Sequence, residues 1–229
     1  AAGTLIALTP ASLATTWSSL TSPTPNALYA LANNTTGFTV ATGASGTIVT
    51  TGDGTTWVDH TATSGTTQNL YGVAYGYDST NARNVFVAVG AAGTVIYSVD
   101  GVTWSAATPV TSNDLKSVSY GLAAGVFVAV GANGTVLTSP NGITWTVQPA
   151  ASTTIPATTL LNSVTFSVGR RFVAVANDGN IFYSEYSSAG TIWTQVTPRP
   201  TLSPLYAITT GALFDYSAVG LAGLNLYSD

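Results

Sequence analysis

Only 6% of the 229 residues carry a charge, against about 25% in an ordinary soluble domain, and the net charge of −4 leaves no basic stripe for nucleic acid. With no cysteine, disulfides, thiolate metal sites and a cysteine nucleophile are excluded. Apolar residues reach 45%, enough for a sizeable core, but no apolar run attains the 18 residues of a membrane-spanning helix.

The chain opens on Ala1-Ala2-Gly3, the small-residue start that signal cleavage leaves behind. Together with a Thr/Ser-rich, charge-poor composition this predicts a secreted or surface-displayed product. Thr4-Leu5-Ile6-Ala7-Leu8 then reads as a strand, and Thr15-Thr16-Trp17-Ser18-Ser19-Leu20 as another.

From Leu28 onward one unit repeats. It opens on a leucine followed by alternation, at Leu28, Leu70, Leu115, Leu161 and Leu205, spaced by 42, 45, 46 and 44 residues. Next comes an almost continuous apolar run, such as Phe127-Val128-Ala129-Val130, as expected of strands covered on both faces. A Gly-containing turn leads to a third strand of the type Gly134-Thr135-Val136-Leu137. A tight turn (Asp53-Gly54, Asp100-Gly101, Asn141-Gly142) leads to a fourth strand that opens on Thr-Trp. Four-stranded units of 40–50 residues are the signature of propeller blades.

Ser98-Val99-Asp100-Gly101-Val102-Thr103-Trp104 resembles the Asp-box, or bacterial-neuraminidase-type repeat, shortened by one residue. Ser139 to Trp145 has Asn141 for the acid, Thr51 to Trp57 has Thr for Ser, and Ser184 to Trp193 is longer and lacks the acidic turn residue. The resemblance implies that the box folds the turn between third and fourth strands and is not catalytic. In size and blade number the chain is also similar to tachylectin-type lectins. The five tryptophans, Trp17, Trp57, Trp104, Trp145 and Trp193, hold one phase of the repeat, which predicts a packing role between blades.

Four units are complete, over 28–62, 70–107, 115–149 and 161–196. The C-terminal piece supplies three strands of a fifth, and Trp17 with its neighbours matches the missing fourth strand. The expected fold is therefore all-β: a five-bladed propeller over 14–229, closed by pairing of N- and C-terminal strands. Residues 1–13 hold a surplus strand, Thr4 to Leu8, which competes with 223–227 for the third-strand place. It docks either as an extra edge strand of its own chain or onto a neighbouring molecule.

Catalysis has little to draw on. The single histidine, His60, lies beside Asp59 at a strand end, which reads as solvated surface. Sialidases, which share the Asp-box, need an arginine cluster, whereas this chain has only Arg83, Arg170, Arg171 and Arg199, of which Arg170 and Arg171 are adjacent at a turn and strand start. The acids Asp53, Asp100, Asp178, Asp215 and Glu185 fall mostly in turns of different blades, so no paired carboxylates or metal set converge. No catalytic residue, metal site or cofactor is predicted.

Tyr29, Tyr71 and Tyr206, each after an opening leucine, are candidate sugar-stacking surfaces or packing residues. Asn33, Asn34 and Asn133 head sequons and are candidate glycosylation sites. The function expected is a non-catalytic secreted subunit that self-assembles head to tail into a filament through its N-terminal strand. The alternative is a carbohydrate-binding lectin, and a third option is an assembly factor like other Asp-box propellers. The expected partners are copies of itself and glycans, with no nucleic acid and no membrane span.

Overall fold

A computed structural model of the chain describes residues 5–8, 17–149, 152–167, 171–185, 188–211 and 216–228. It is all-β. The first two strands, β1 (Leu5–Leu8) and β2 (Trp17–Leu20), form an antiparallel hairpin of their own. Four four-stranded antiparallel blades follow: β3 (Leu28–Asn33) to β6 (Val58–Asp59), β7 (Leu70–Asp78) to β10 (Ser105–Ala106), β11 (Leu115–Gly121) to β14 (Thr146–Val147), and β15 (Leu161–Phe166) to β18 (Thr194–Gln195). The fifth blade has three strands, β19 (Leu205–Thr210), β20 (Tyr216–Gly220) and β21 (Asn225–Ser228). This is the five-bladed propeller architecture that the repeat predicts.

Within each blade, sequence neighbours are sheet neighbours, because short turns connect them. The turn from second to third strand shows why glycine recurs there. Ala92 and Gly93 both have positive φ, at 52° and 71°, the geometry of the hairpin turn whose twist matches the flanking strands. A Cβ on Gly93 would also stand 1.9 Å from the Thr111 carbonyl oxygen, so no side chain fits.

Side chains of the second strands alternate between the two faces of a blade, and neighbouring blades cover both. Val87 and Val89 pack towards the third blade with Phe127 and Leu137, while Phe86 and Ala88 pack towards the first with Val40 and Ile48. The innermost strands lie side by side in sequence order, β3 on β7, β7 on β11, β11 on β15 and β15 on β19. Among the described residues β19 makes no comparable packing against β3.

The competition for the third-strand place goes to the C-terminus, since β21 pairs with β20. The strand expected beside β21 behaves differently. β2 pairs with β1, in the register Leu5↔Leu20 to Leu8↔Trp17, and not with β21 among the described residues. A hairpin closes only a short loop, so the β1 pairing of β2 loses little chain entropy. It occupies only one of the two edges of β2.

Candidate assembly site

The turn between third and fourth strands is held by a repeated set of hydrogen bonds. In the second blade Ser98 Oγ donates to Asp100 Oδ1 at 2.8 Å and accepts from the Gly101 N–H at 2.8 Å. The same carboxylate oxygen accepts from the Val102 and Thr103 N–H groups, each at 2.8 Å. Asn141 serves the third blade identically, taking the Ile143 and Thr144 N–H groups at 2.9 and 2.8 Å. In the first blade Asp53 accepts from Thr55 and Thr56 at 2.8 and 2.7 Å. The Thr56 and Thr55 N–H groups hold the Asp53 carboxyl far below the usual carboxylate range. Partial burial works against ionisation of Asp100, but the Thr103 and Val102 N–H groups outweigh it and its pKa is also lowered.

These turns aim an indole at the preceding blade. Trp104, Trp145 and Trp193 are 6%, 5% and 1% exposed, and each Nε1 donates to the carbonyl of its own turn glycine, Gly101, Gly142 or Gly190, at 3.1, 3.0 and 2.7 Å. The turn glycines press on the same neighbour. A Cβ on Gly101 would meet Phe38 and Val40 of the first blade, one on Gly142 Val87 of the second, and one on Gly190 Val128 of the third.

Both ends of the blade row lack this arrangement. At the first blade a Cβ on Gly54 would meet nothing within 4 Å, and Trp57, only half-buried, keeps its Nε1 out of solvent without a hydrogen-bond partner. At the fifth blade, among the described residues, no strand pairs with the outer edge of β21. Instead a cleft of about 690 Å³ opens between the fourth and fifth blades. Val173 and Ile181 line it from the fourth blade, and Tyr216, Ala218 and Leu226 from the fifth. Its polar rim carries the Arg171–Glu185 ion pair at 2.8 Å and the Tyr216 hydroxyl, which donates to Ser167 Oγ at 2.6 Å. Burial pushes the Tyr216 hydroxyl up in pKa, the Ser167 bond only partly offsetting it.

Exposure of equivalent side chains marks the two ends as well. Val73, Val118, Val164 and Ile208 face the preceding blade and are 5–9% exposed, whereas Leu31 at the same position of the first blade is 65% exposed. Val89, Val130 and Val175 face the following blade and are fully buried, whereas Val219 of the fifth is 47% exposed.

The other residues singled out by sequence fall elsewhere. In all five blades the register slips by one residue after the opening leucine, so Tyr29, Tyr71, Lys116, Asn162 and Tyr206 are bulged out of the innermost strands. Tyr29 and Tyr71 lie ring to ring at 5.7 Å, and the Lys116 ammonium, paired with Asp114 at 2.9 Å, sits 3.9 Å from the Tyr71 centroid. Tyr29 and Tyr206 are about half exposed, so neither is buried between blades. Asn33 and Asn133 are exposed, while Asn34 Oδ1 accepts from the Thr36 and Phe38 N–H groups in a turn. Asp59 caps the Thr61 N–H beside half-buried His60. Leu5, Ile6, Ala7 and Leu8 form β1; Thr4, Arg170 and Asp215 lie outside the described residues. The cleft and the bulged row were missed from sequence. The cleft depends on which blade faces stay uncovered, and a one-residue slip leaves no mark on composition.

Neither a protein-family model nor a curated protein matches the sequence. Solved structures do match in fold. The structure titled YCF48 bound to D1 peptide superposes with a TM-score of 0.66 at 17% identity, over 93% of this chain and 67% of that one. YCF48 from Cyanidioschyzon merolae gives 0.64 at 16% identity, over 93% and 70%. A chain of a nidogen/laminin complex gives 0.65 at 12% identity, over 89% and 76%. At such identities the likeness is one of propeller fold.

Proposed function

We propose that this chain is a non-catalytic, secreted structural subunit that self-assembles head to tail into an extracellular filament through its N-terminal hairpin. One observation carries the reading: each end of the blade row leaves exposed a face that the other blades bury against a neighbour. Among the described residues the fifth blade has three strands and leaves Val219 uncovered. The first blade is preceded by a hairpin with a spare strand edge and leaves Leu31 uncovered. Adding a strand to an open sheet edge is a recurring mode of association, and a contact between unlike surfaces propagates unless it closes into a ring.

The rest of the molecule supports this. A chain with only 6% charged residues gains from having its surface covered by copies of itself. The turn acids Asp53 and Asp100 are engaged by backbone N–H groups, which favours a structural over a catalytic use and an Asp-box kind of repeat. Electron microscopy and sedimentation of the full-length chain and of a variant lacking residues 1–20 test the proposal. Polymers that disappear on truncation are the expected result, and dispersed single propellers in both samples would refute it.

Carbohydrate binding is the second reading, favoured by the half-exposed rings of Tyr29 and Tyr206 on the innermost strands. A glycan array probed with the dispersed protein tests it, and loss of signal in Tyr29→Ala and Tyr206→Ala is expected.

A further inference from the structure

We infer that the cleft between the fourth and fifth blades is the seat for Trp17 of a second copy, which lays its β2 along β21 in one fixed register. The inference rests on the head-to-tail reading and names the contact that makes it.

The shape of the seat follows from the repeat. Trp193 packs in a cluster with Val128 and Val136 of the third blade and Phe172, Ala174 and Phe182 of the fourth. One repeat further on, the residues at these positions are Val173, Ile181, Tyr216, Ala218 and Leu226. All five line the cleft. The cleft is thus the Trp193 site built once more without its indole. Trp57, Trp104, Trp145 and Trp193 belong to their own blades, which leaves Trp17 as the one tryptophan outside a blade.

The register follows from the four complete blades. In each, the residue after the tryptophan pairs with the residue four beyond the third-strand glycine: Val58 with Thr50, Ser105 with Tyr97, Thr146 with Thr138, and Thr194 with Tyr183. Counting from Gly223 sets Ser18 opposite Tyr227 and Ser19 opposite Leu226. The other edge of β2 already holds β1, with Ser19 opposite Ile6. The completed sheet then runs β19-β20-β21-β2-β1, and β1 becomes a fifth, outer strand.

Chain length is compatible with this. Residues 21–27 join β2 to β3, a span similar to 107–114, which carries the chain from β10 of one blade to β11 of the next. A seated β2 therefore brings its own first blade behind the acceptor's fifth, so that Leu31 faces Val219 and Gly54 and Trp57 gain the wall they lack. Among the described residues β19 makes no packing against β3 comparable to that between the other innermost strands, which favours a second copy as the occupant.

The absence of cysteine makes the register directly testable. In full-length Ser19→Cys/Leu226→Cys, mild oxidation should give a ladder of covalent multimers on non-reducing gels. Each single variant should stop at dimers, and the out-of-register Ser19→Cys/Val219→Cys should give no ladder. Trp17→Ala should weaken assembly on the order of 100-fold, as removal of a buried aromatic anchor does, with Trp17→Phe retaining part of it. Polymers of the unaltered chain combined with no ladder would overturn the seat and register while leaving head-to-tail assembly standing. A disulfide confined within single chains would overturn the second-copy assignment. A chain that stays monomeric and forms no cross-link would overturn the inference together with the assembly reading on which it rests.

Discussion

Replacing Trp145 and Trp57 by alanine, separately, tests whether the box tryptophans stabilise the protein by packing on a preceding blade. Trp145 is 5% exposed, lies 6.5 Å from Phe127 ring to ring, and donates to the Gly142 carbonyl at 3.0 Å. Truncating so buried an aromatic costs about 3–5 kcal/mol, the lost hydrogen bond included. For a domain of this size that lowers Tm by roughly 6–20 °C, at about 2–4 °C per kcal/mol. Trp57 occupies the same place in the repeat, but it is half-buried, its turn faces no blade and its Nε1 lacks a partner. Its truncation should cost about 1 kcal/mol, and Trp57→Phe should be neutral or slightly stabilising because it removes an unpaired buried donor. Thermal unfolding followed by circular dichroism, on protein dispersed at low concentration, reads both. Equal losses at the two positions would refute the argument that the preceding blade, rather than the turn itself, makes the tryptophan matter.

The same contrast should appear at the turn glycines. Gly54 and Gly142 share a positive φ of 74° and 73°, but a Cβ on Gly142 would stand 2.5 Å from Val87 while one on Gly54 meets open space. Gly54→Ala should cost only the left-handed strain, about 1–2 kcal/mol, and Gly142→Ala clearly more in urea unfolding. Asp53 and Asp100 have pKa values below their ordinary 3.8. Their stabilisation is therefore complete above about pH 4 and is lost as pH falls through the lowered folded values. Urea midpoints between pH 2 and 7 should decline only at the acid end, and less in Asp100→Asn, since Asn141 already makes the same bonds in the third blade. Leu31→Asp and Val219→Asp should leave the unfolding free energy of the dispersed chain within about 0.5 kcal/mol of the parent, as surface changes do, while suppressing sedimentation of assemblies.

Much of this molecule is written in local pattern. The opening leucines, the Phe-Val-Ala-Val runs, and the Asp-Gly and Asn-Gly turns specify strands and hairpins through side-chain alternation and positive φ, which depend on a few adjacent residues. Repeating them five times determines the blades. What tertiary structure decided lies where one blade meets the next. Leu31 and Val73 hold the same place in the repeat, and nothing near them in sequence tells that one is 65% exposed and the other 7%. Gly54 and Gly142 likewise differ only in whether a neighbouring blade stands against them. The phrase at Trp17 specified a fourth strand, but a strand has two edges, and it is pairing in space that gave one of them to β1, with no β2–β21 pairing among the described residues. Burial and pairing are properties of what lies across a gap, and the residues across it can stand 200 positions away, so only the assembled blades reveal where the row ends and which faces remain uncovered.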